Sequence, residues 1–241
     1  DLVRIVARGG RMTLISATGG HYAEVVIGTR LRKRRGDNAV QVLSADAPLP
    51  EMVAHLNRFR PAVLAPYASI GALLAGEQAA GRLRINPALV VLSAEGLSAG
   101  GYDRIAKAFN VTVHYSYAAT ECTFLSANCE HGWLHVNSDW VFLEVVDADY
   151  RPTPPGTLSH TVLISNLANR VQPILRYDLG DRILQRPDPC PCGNLLPAIR
   201  VEGRTADLLT FSTERGEQVS IPALMFEVVD SMGVERFQIV Q

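Results

Sequence analysis

Cysteine and tryptophan are scarce in this sequence, and no long stretch of it is purely apolar. Four cysteines in 241 residues do not make the disulfide framework of a secreted scaffold. No apolar run approaches the roughly 20 residues that a membrane span needs. No signal peptide is visible either, since Asp1-Leu2-Val3-Arg4-Ile5 reads as a strand. These absences argue against a membrane partner and make the cytoplasm the expected compartment. An excess of one charge is missing as well: a net charge of −1 gives no field to steer a nucleic acid. One basic run stands out, Arg30, Arg32, Lys33, Arg34 and Arg35, closing a segment from His21 in which Tyr22, Val25, Val26 and Leu31 keep helical spacing. Cations there complement the negative end of a helix dipole; an anion site is the alternative.

What is present is enough apolar chain to bury a core, 47% hydrophobic against 20% charged. The first half alternates candidate strands (2–6, 13–16, 40–44, 63–66, 90–93 and 111–115) with candidate helices at 48–58, 69–80 and 98–109. That rhythm predicts an α/β layered, mostly parallel sheet with flanking helices. Ligands on such sheets bind at the carboxyl ends of the strands, where Ser93-Ala94-Glu95-Gly96 and Tyr117–Glu121 emerge. From Trp133 onward the pattern changes to short alternating strands such as 141–146 and 161–164, broken by Pro152, Pro154 and Pro155. This predicts a small antiparallel β-unit with Trp133 and Trp140 in its core. A strand after Arg204, a helix near 222–230 and a strand at 236–240 complete the expected order. Predicted divisions are 1–125 (α/β nucleotide-binding), 126–203 (β-unit) and 204–241 (hinge and start of a small C-terminal domain).

Three stretches occur in order: His114-Tyr115-Ser116-Tyr117-Ala118-Ala119-Thr120-Glu121, Arg176-Tyr177-Asp178-Leu179-Gly180-Asp181 and Gly203-Arg204-Thr205-Ala206-Asp207. Together they resemble the nucleotide-binding motifs of adenylate-forming enzymes, the acyl-CoA synthetase superfamily. They are most similar to those of the phenylacetate–CoA ligase family: Y-G-x-T-E, Y-x-x-G-D and G-R-x-D. The resemblance implies the central part of that fold and an ATP-dependent acid–CoA ligase. Such an enzyme joins a small-molecule carboxylic acid to AMP and then passes the acyl group to coenzyme A.

It also implies roles. Tyr117, with Ala118 beside it, would stack on adenine, and Ala94, Glu95 and Gly96 would line the adenine pocket. Thr120 would reach the phosphates and Glu121 would hold Mg²⁺, a hard cation that prefers oxygen. Asp181 would take the ribose hydroxyls and Arg204 the ribose or phosphate. The sequence departs from the pattern at Ala118, where the family has glycine, and at Ala206, where it has an aspartate that Asp207 adjoins. A Ser/Thr/Gly-rich phosphate loop and the family's C-terminal lysine are not found, so a catalytically incomplete segment of a larger enzyme is expected. Ser16-Ala17-Thr18-Gly19-Gly20-His21 is the nearest stretch to such a loop. It lacks the G-x-G-x-x-G spacing of a dinucleotide fold.

Cys190-Pro191-Cys192-Gly193 is a separate signal, because two thiolates on a tight turn can face one point. With Cys129 and His135 they supply the four N/S ligands of a tetrahedral structural Zn²⁺. His131 competes with His135, which is favoured because Trp133-Leu134-His135-Val136 is strand-like. Free thiols are the alternative; a Cys190–Cys192 disulfide would be strained. Some phenylacetate–CoA ligase relatives look similar here. Cys122, with no histidine paired to it in sequence, reads as a pocket wall, and Ala119, Cys122 and Phe124 as neighbours of an aryl or apolar acid. Rival readings are a non-catalytic zinc-stabilised adenylate-binding or assembly module and a carrier-protein adenylation domain. Oligomeric state is open, a homodimer included.

Overall fold

Every strand of the first half runs the same way. In the computed structural model, which describes residues 2–17, 23–212 and 218–222, five parallel strands stand in the order β2-β1-β3-β4-β5. They are β1 (Met12–Ser16), β2 (Val40–Ser44), β3 (Val63–Pro66), β4 (Leu89–Leu92) and β5 (Val113–Tyr115). The helices are α1 (Leu2–Ala7), α2 (Ala23–Arg35), α3 (Leu49–Phe59), α4 (Ala68–Ala79) and α5 (Ala99–Phe109). The sheet is in register from its first residues, Met12 facing both Val40 and Val63. Four of the five β1 residues are buried, as a strand inside a parallel sheet requires. From β1 the chain turns to β2 on one side, then returns to β3 on the other. The carboxyl ends of β1 and β3 are therefore a topological switch point. There the Ala17 N–H donates to the Tyr67 hydroxyl at 3.0 Å.

Local chemistry sets the helix ends. Ser98 caps α5, its Oγ accepting from Gly101 N–H at 3.2 Å. Arg60 and Asn110 close α3 and α5 with φ of 51° each. The core gathers Leu56, Leu64, Leu74, Val90, Leu92 and Ile105. Gly71 lets α4 close on β4, since a Cβ there would stand 2.8 Å from Leu92 Cδ2.

The second half is built of antiparallel sheets. One has the order β10-β9-β8 (Ile174–Asp178, Thr161–Asn166, Val141–Val146). Another has β11-β12-β7-β6 (Asp181–Gln185, Ala198–Arg204, Leu134–Val136, Ser126–Asn128). A two-stranded ribbon pairs β13 (Leu208–Ser212) with β14 (Gln218–Pro222). By contact density the chain divides into two compact units, Asp1–Thr123 and Phe124–Gln241.

Two sequence expectations change. Leu2–Val6 is helical, not a strand: Arg8 N–H bonds to Arg4 C=O, and Gly9 and Gly10, at φ 82° and 62°, end the turn. Four apolar residues around Arg4 fit either period, and Leu2, Val3 and Val6 are all exposed. Trp140 is 61% exposed, whereas Trp133 is buried; Trp140 falls in the turn between β7 and β8, outside the alternating pattern. The helix expected near 222–230 and the strand at 236–240 lie outside the described residues, apart from Pro222, which ends β14. No described helix is long and apolar enough to cross a membrane.

Candidate functional site

In the first unit the motif residues follow β4 and β5. Ala94 adopts φ 67°, a left-handed conformation uncommon for a residue with a Cβ. Glu95 beside it is engaged: its Oε2 accepts from the Ser69 N–H at 2.8 Å. Ser69 lies in the first turn of α4, where N–H groups have no intrahelical partner and a carboxylate meets the positive helix end. The glutamate thus caps a helix 26 residues away in sequence, which the resemblance gave no reason to expect. After β5, Ala119 and Cys122 exchange two backbone hydrogen bonds of 3.1 and 3.0 Å. Thr120 and Glu121 form the tip of that turn, Thr120 exposed and Glu121 partly so. Tyr117 is half-buried, Ala118 exposed and Cys122 buried.

In the second unit Asp181 opens β11 and faces Arg204, the last residue of β12. Their side chains form an ion pair, Arg204 Nε to Asp181 Oδ1 at 3.3 Å, with Asp181 15% exposed and Arg204 63%. Arg204 Nη2 also donates to Leu179 C=O at 3.0 Å. The turn between β10 and β11 is held by Asp178. Its carboxylate accepts from Thr161 Oγ1, from Tyr150 Oη at 2.8 Å and from Gly180 N–H at 2.9 Å. Burial pushes the Asp178 carboxyl up, but those three donors and nearby His160 outweigh it and leave the group below its ordinary value. The same bond holds the Tyr150 phenol above its own. Gly180 turns at φ 70° with no atom within 4 Å of a would-be Cβ, so backbone conformation, not space, selects glycine there. Ala206 and Asp207 sit in one short 3-10 turn, Thr205–Asp207.

The cysteines and the histidine converge. One ligand atom from each of Cys129, His135, Cys190 and Cys192 lies within 4.8 Å of all the others. Cys129 Sγ and Cys190 Sγ are 3.8 Å apart, and Cys192 Sγ is 3.2 Å from His135 Nε2. Atoms about 2.0–2.3 Å from a tetrahedral zinc stand about 3.3–3.8 Å from one another. The residues present therefore fit the ion. His131 lies outside this group, exposed and 3.9 Å from Glu130.

Three elements deliver the set. Cys129 follows β6, His135 is on β7, and both other cysteines lie in the β11–β12 connection, which β12 brings back to pair Ala198 with His135. The His135 ring is 3% exposed, and its Nδ1 is 3.0 Å from Leu196 C=O. A carbonyl can only accept, so Nδ1 carries the proton and the Nε2 lone pair faces the cysteines.

The Cys190 thiol is held below its ordinary value, first by the Cys192 N–H, against burial, with help from neighbouring thiols and Arg186. On Cys192 the Asn194 N–H pulls the thiol down, but burial and the crowding of Cys190 and Cys129 raise it overall. Three thiolates around one divalent cation leave a single negative charge. Arg186 and Arg200 stand ready to offset it, stacked over the Trp133 ring at 5.0 and 4.2 Å from its centre. The arginine–tryptophan stack and the Asp178 network were missed in the sequence, because nothing in their spacing marks them.

No family model matches this chain, and no curated protein matches it in sequence. Solved structures do. One is a 2-hydroxyisobutyryl-CoA ligase in the postadenylation state with R3-HIB-AMP: TM-score 0.68, 23% identity, covering 91% of this chain and 48% of that one. Another is a benzoate CoA ligase from Burkholderia xenovorans LB400, with TM-score 0.60, 18% identity and coverages of 83% and 43%. A third is a luciferase-like enzyme from the mealworm Zophobas morio, with TM-score 0.58, 14% identity and coverages of 85% and 52%. The chain thus spans about half the length of the structures it matches. Its parallel sheet, helices and small antiparallel sheets are those of the adenylate-forming enzyme fold.

Proposed function

We propose that this chain is the nucleotide-binding part of an AMP-forming acid–CoA ligase, within the phenylacetate–CoA ligase branch of the fold. What supports the reading is the likeness of the fold to solved CoA ligases, together with three motifs that each stand at the end of an element. Thr120-Glu121 is the tip of the turn after β5, Asp181 opens β11, and Arg204 ends β12. In this reading a carboxylate oxygen of the acid attacks the α-phosphorus of ATP, and the bond to pyrophosphate breaks. The thiol of CoA then displaces AMP from the acyl-adenylate. Tyr117, with Ala118 and the Ala94-Glu95-Gly96 turn, takes the adenine. Asp181 accepts from the ribose hydroxyls, and Arg204 meets ribose or phosphate. Thr120 donates to a phosphate oxygen. Mg²⁺, when bound, supplies positive charge at the phosphates, and the Glu121 carboxylate is the hard oxygen donor suited to hold it. A buried Cys122 wall suits an aryl or apolar acid. Catalysis of this kind rests on positioning and charge. We propose further that Cys129, His135, Cys190 and Cys192 hold a structural Zn²⁺ with no open coordination position.

AMP binding measured by calorimetry tests the ligase reading. Asp181→Ala should weaken AMP by about 10-fold to 100-fold, the worth of hydrogen bonds to a charged group. The far-ultraviolet spectrum should stay unchanged. Equal affinity in the variant would remove the basis for the assignment.

A further inference from the structure

A cleft opens at the amino ends of the parallel strands, away from the motif loops that follow β4 and β5. About 600 Å³ in volume, its lining includes Arg11, Arg32, Arg58, Asp37, Gln41 and Phe59. Three separate elements bring the cations. Arg11 precedes β1, Arg32 lies in the last turn of α2 and Arg58 in the last turn of α3. Part of this charge has a structural use. Arg32 Nε pairs with Asp37 Oδ1 at 3.0 Å. Arg11 donates to Arg60 C=O at 3.1 Å and lies 5.9 Å from the Phe59 ring centre. Basic residues at helix carboxyl ends also complement the dipoles.

These uses leave an excess. Among the described residues lining the cleft, Asp37 is the one carboxylate against three guanidiniums. Arg58 pairs with no described acid. Lys33, Arg34 and Arg35 crowd the same end of α2, in a chain whose net charge is −1. Guanidinium groups repel one another unless an anion sits between them, and their planar forks match phosphate oxygens two at a time. Gln41 adds an amide and Phe59 an apolar wall. The cleft is roomier than one phosphate needs.

We infer that this cleft binds a small soluble anion bearing a phosphate or pyrophosphate group, at the opposite end of the parallel strands from the Thr120-Glu121 turn. This site is independent of the ligase reading and stands or falls without it. Inorganic pyrophosphate titrated calorimetrically into the chain tests it, with Arg58→Gln and Arg204→Gln as comparison variants. Arg58 is exposed, so the substitution leaves the core intact, which circular dichroism checks. The expected result is saturable binding that weakens as salt is raised. Arg58→Gln should lose about tenfold or more, the worth of a charge-assisted contact, while Arg204→Gln should keep the wild-type affinity for pyrophosphate. Absence of saturable binding, or equal binding by Arg58→Gln, overturns the proposal. So does loss of binding in Arg204→Gln alone, which would move the pyrophosphate to the nucleotide motifs.

Discussion

The candidate metal cluster and the candidate nucleotide motifs are distributed differently along the chain. The cysteine–histidine cluster is contained in one unit, its four ligand atoms brought together by one antiparallel sheet and its loops. The nucleotide motifs are divided: Tyr117, Thr120 and Glu121 belong to the first unit, Asp181 and Arg204 to the second. A site inside one unit forms as soon as that unit folds. Metal binding should therefore tolerate damage to the first unit.

Optical probes separate the units. Trp133 and Trp140, the two tryptophans, lie in the second, and every described α-helix lies in the first. Tryptophan fluorescence reads one and helical dichroism the other. The largest effect is expected from Cys190→Ser: zinc content should fall from about one equivalent to well under half. The second unit should lose on the order of 5 kcal/mol or more, seen as an early fluorescence transition with the helical signal unmoved. Elemental analysis and a denaturant titration check both.

Next comes Leu64→Ala, at a fully buried position in the first unit. It should cost about 2–5 kcal/mol in the helical transition while zinc stays bound. Metal loss in that variant would break the contrast. Glu95→Ala should cost about 1 kcal/mol through the lost α4 cap, again in the helical signal, and Glu95→Gln should recover part of it.

The smallest effect is at Asp178, which is exposed. Its carboxyl is depressed in the folded state, so its stabilisation is present above the ordinary value of 3.8 and is lost as pH falls below that through the folded value. Asp178→Asn should accordingly lower the fluorescence midpoint at neutral pH, and the gap should close only below pH 3.8. A gap that persists unchanged in acid would show that the carboxylate charge is not what holds the turn.

What could be read in the sequence follows the same division. The parallel strands were visible because apolar runs of four or five residues repeat between amphipathic helices, and because burial on both faces leaves little polar interruption. Cys190-Pro191-Cys192-Gly193 was visible because a tight turn with two thiols has few other uses. α1 was not, since its run is too short for a period to show. Nor was the Asp178 network, whose donors Tyr150 and Thr161 stand 28 and 17 residues upstream. Strand pairing alone brings them near, by a route that no local pattern encodes. Glu95 illustrates a different limit: the resemblance gave it a place beside adenine and left its mechanical duty unstated.

That duty has a reach of its own. With its carboxylate fastened to the opening turn of α4, the segment after β4 cannot swing without stripping that helix of a cap. Gly71, three residues into the helix from Ala68, is wedged against Leu92 of the same strand. Strand, turn and helix are thereby clamped at two points into one rigid corner. Any molecule seated against Ala94 would meet a wall that yields only when the whole corner does.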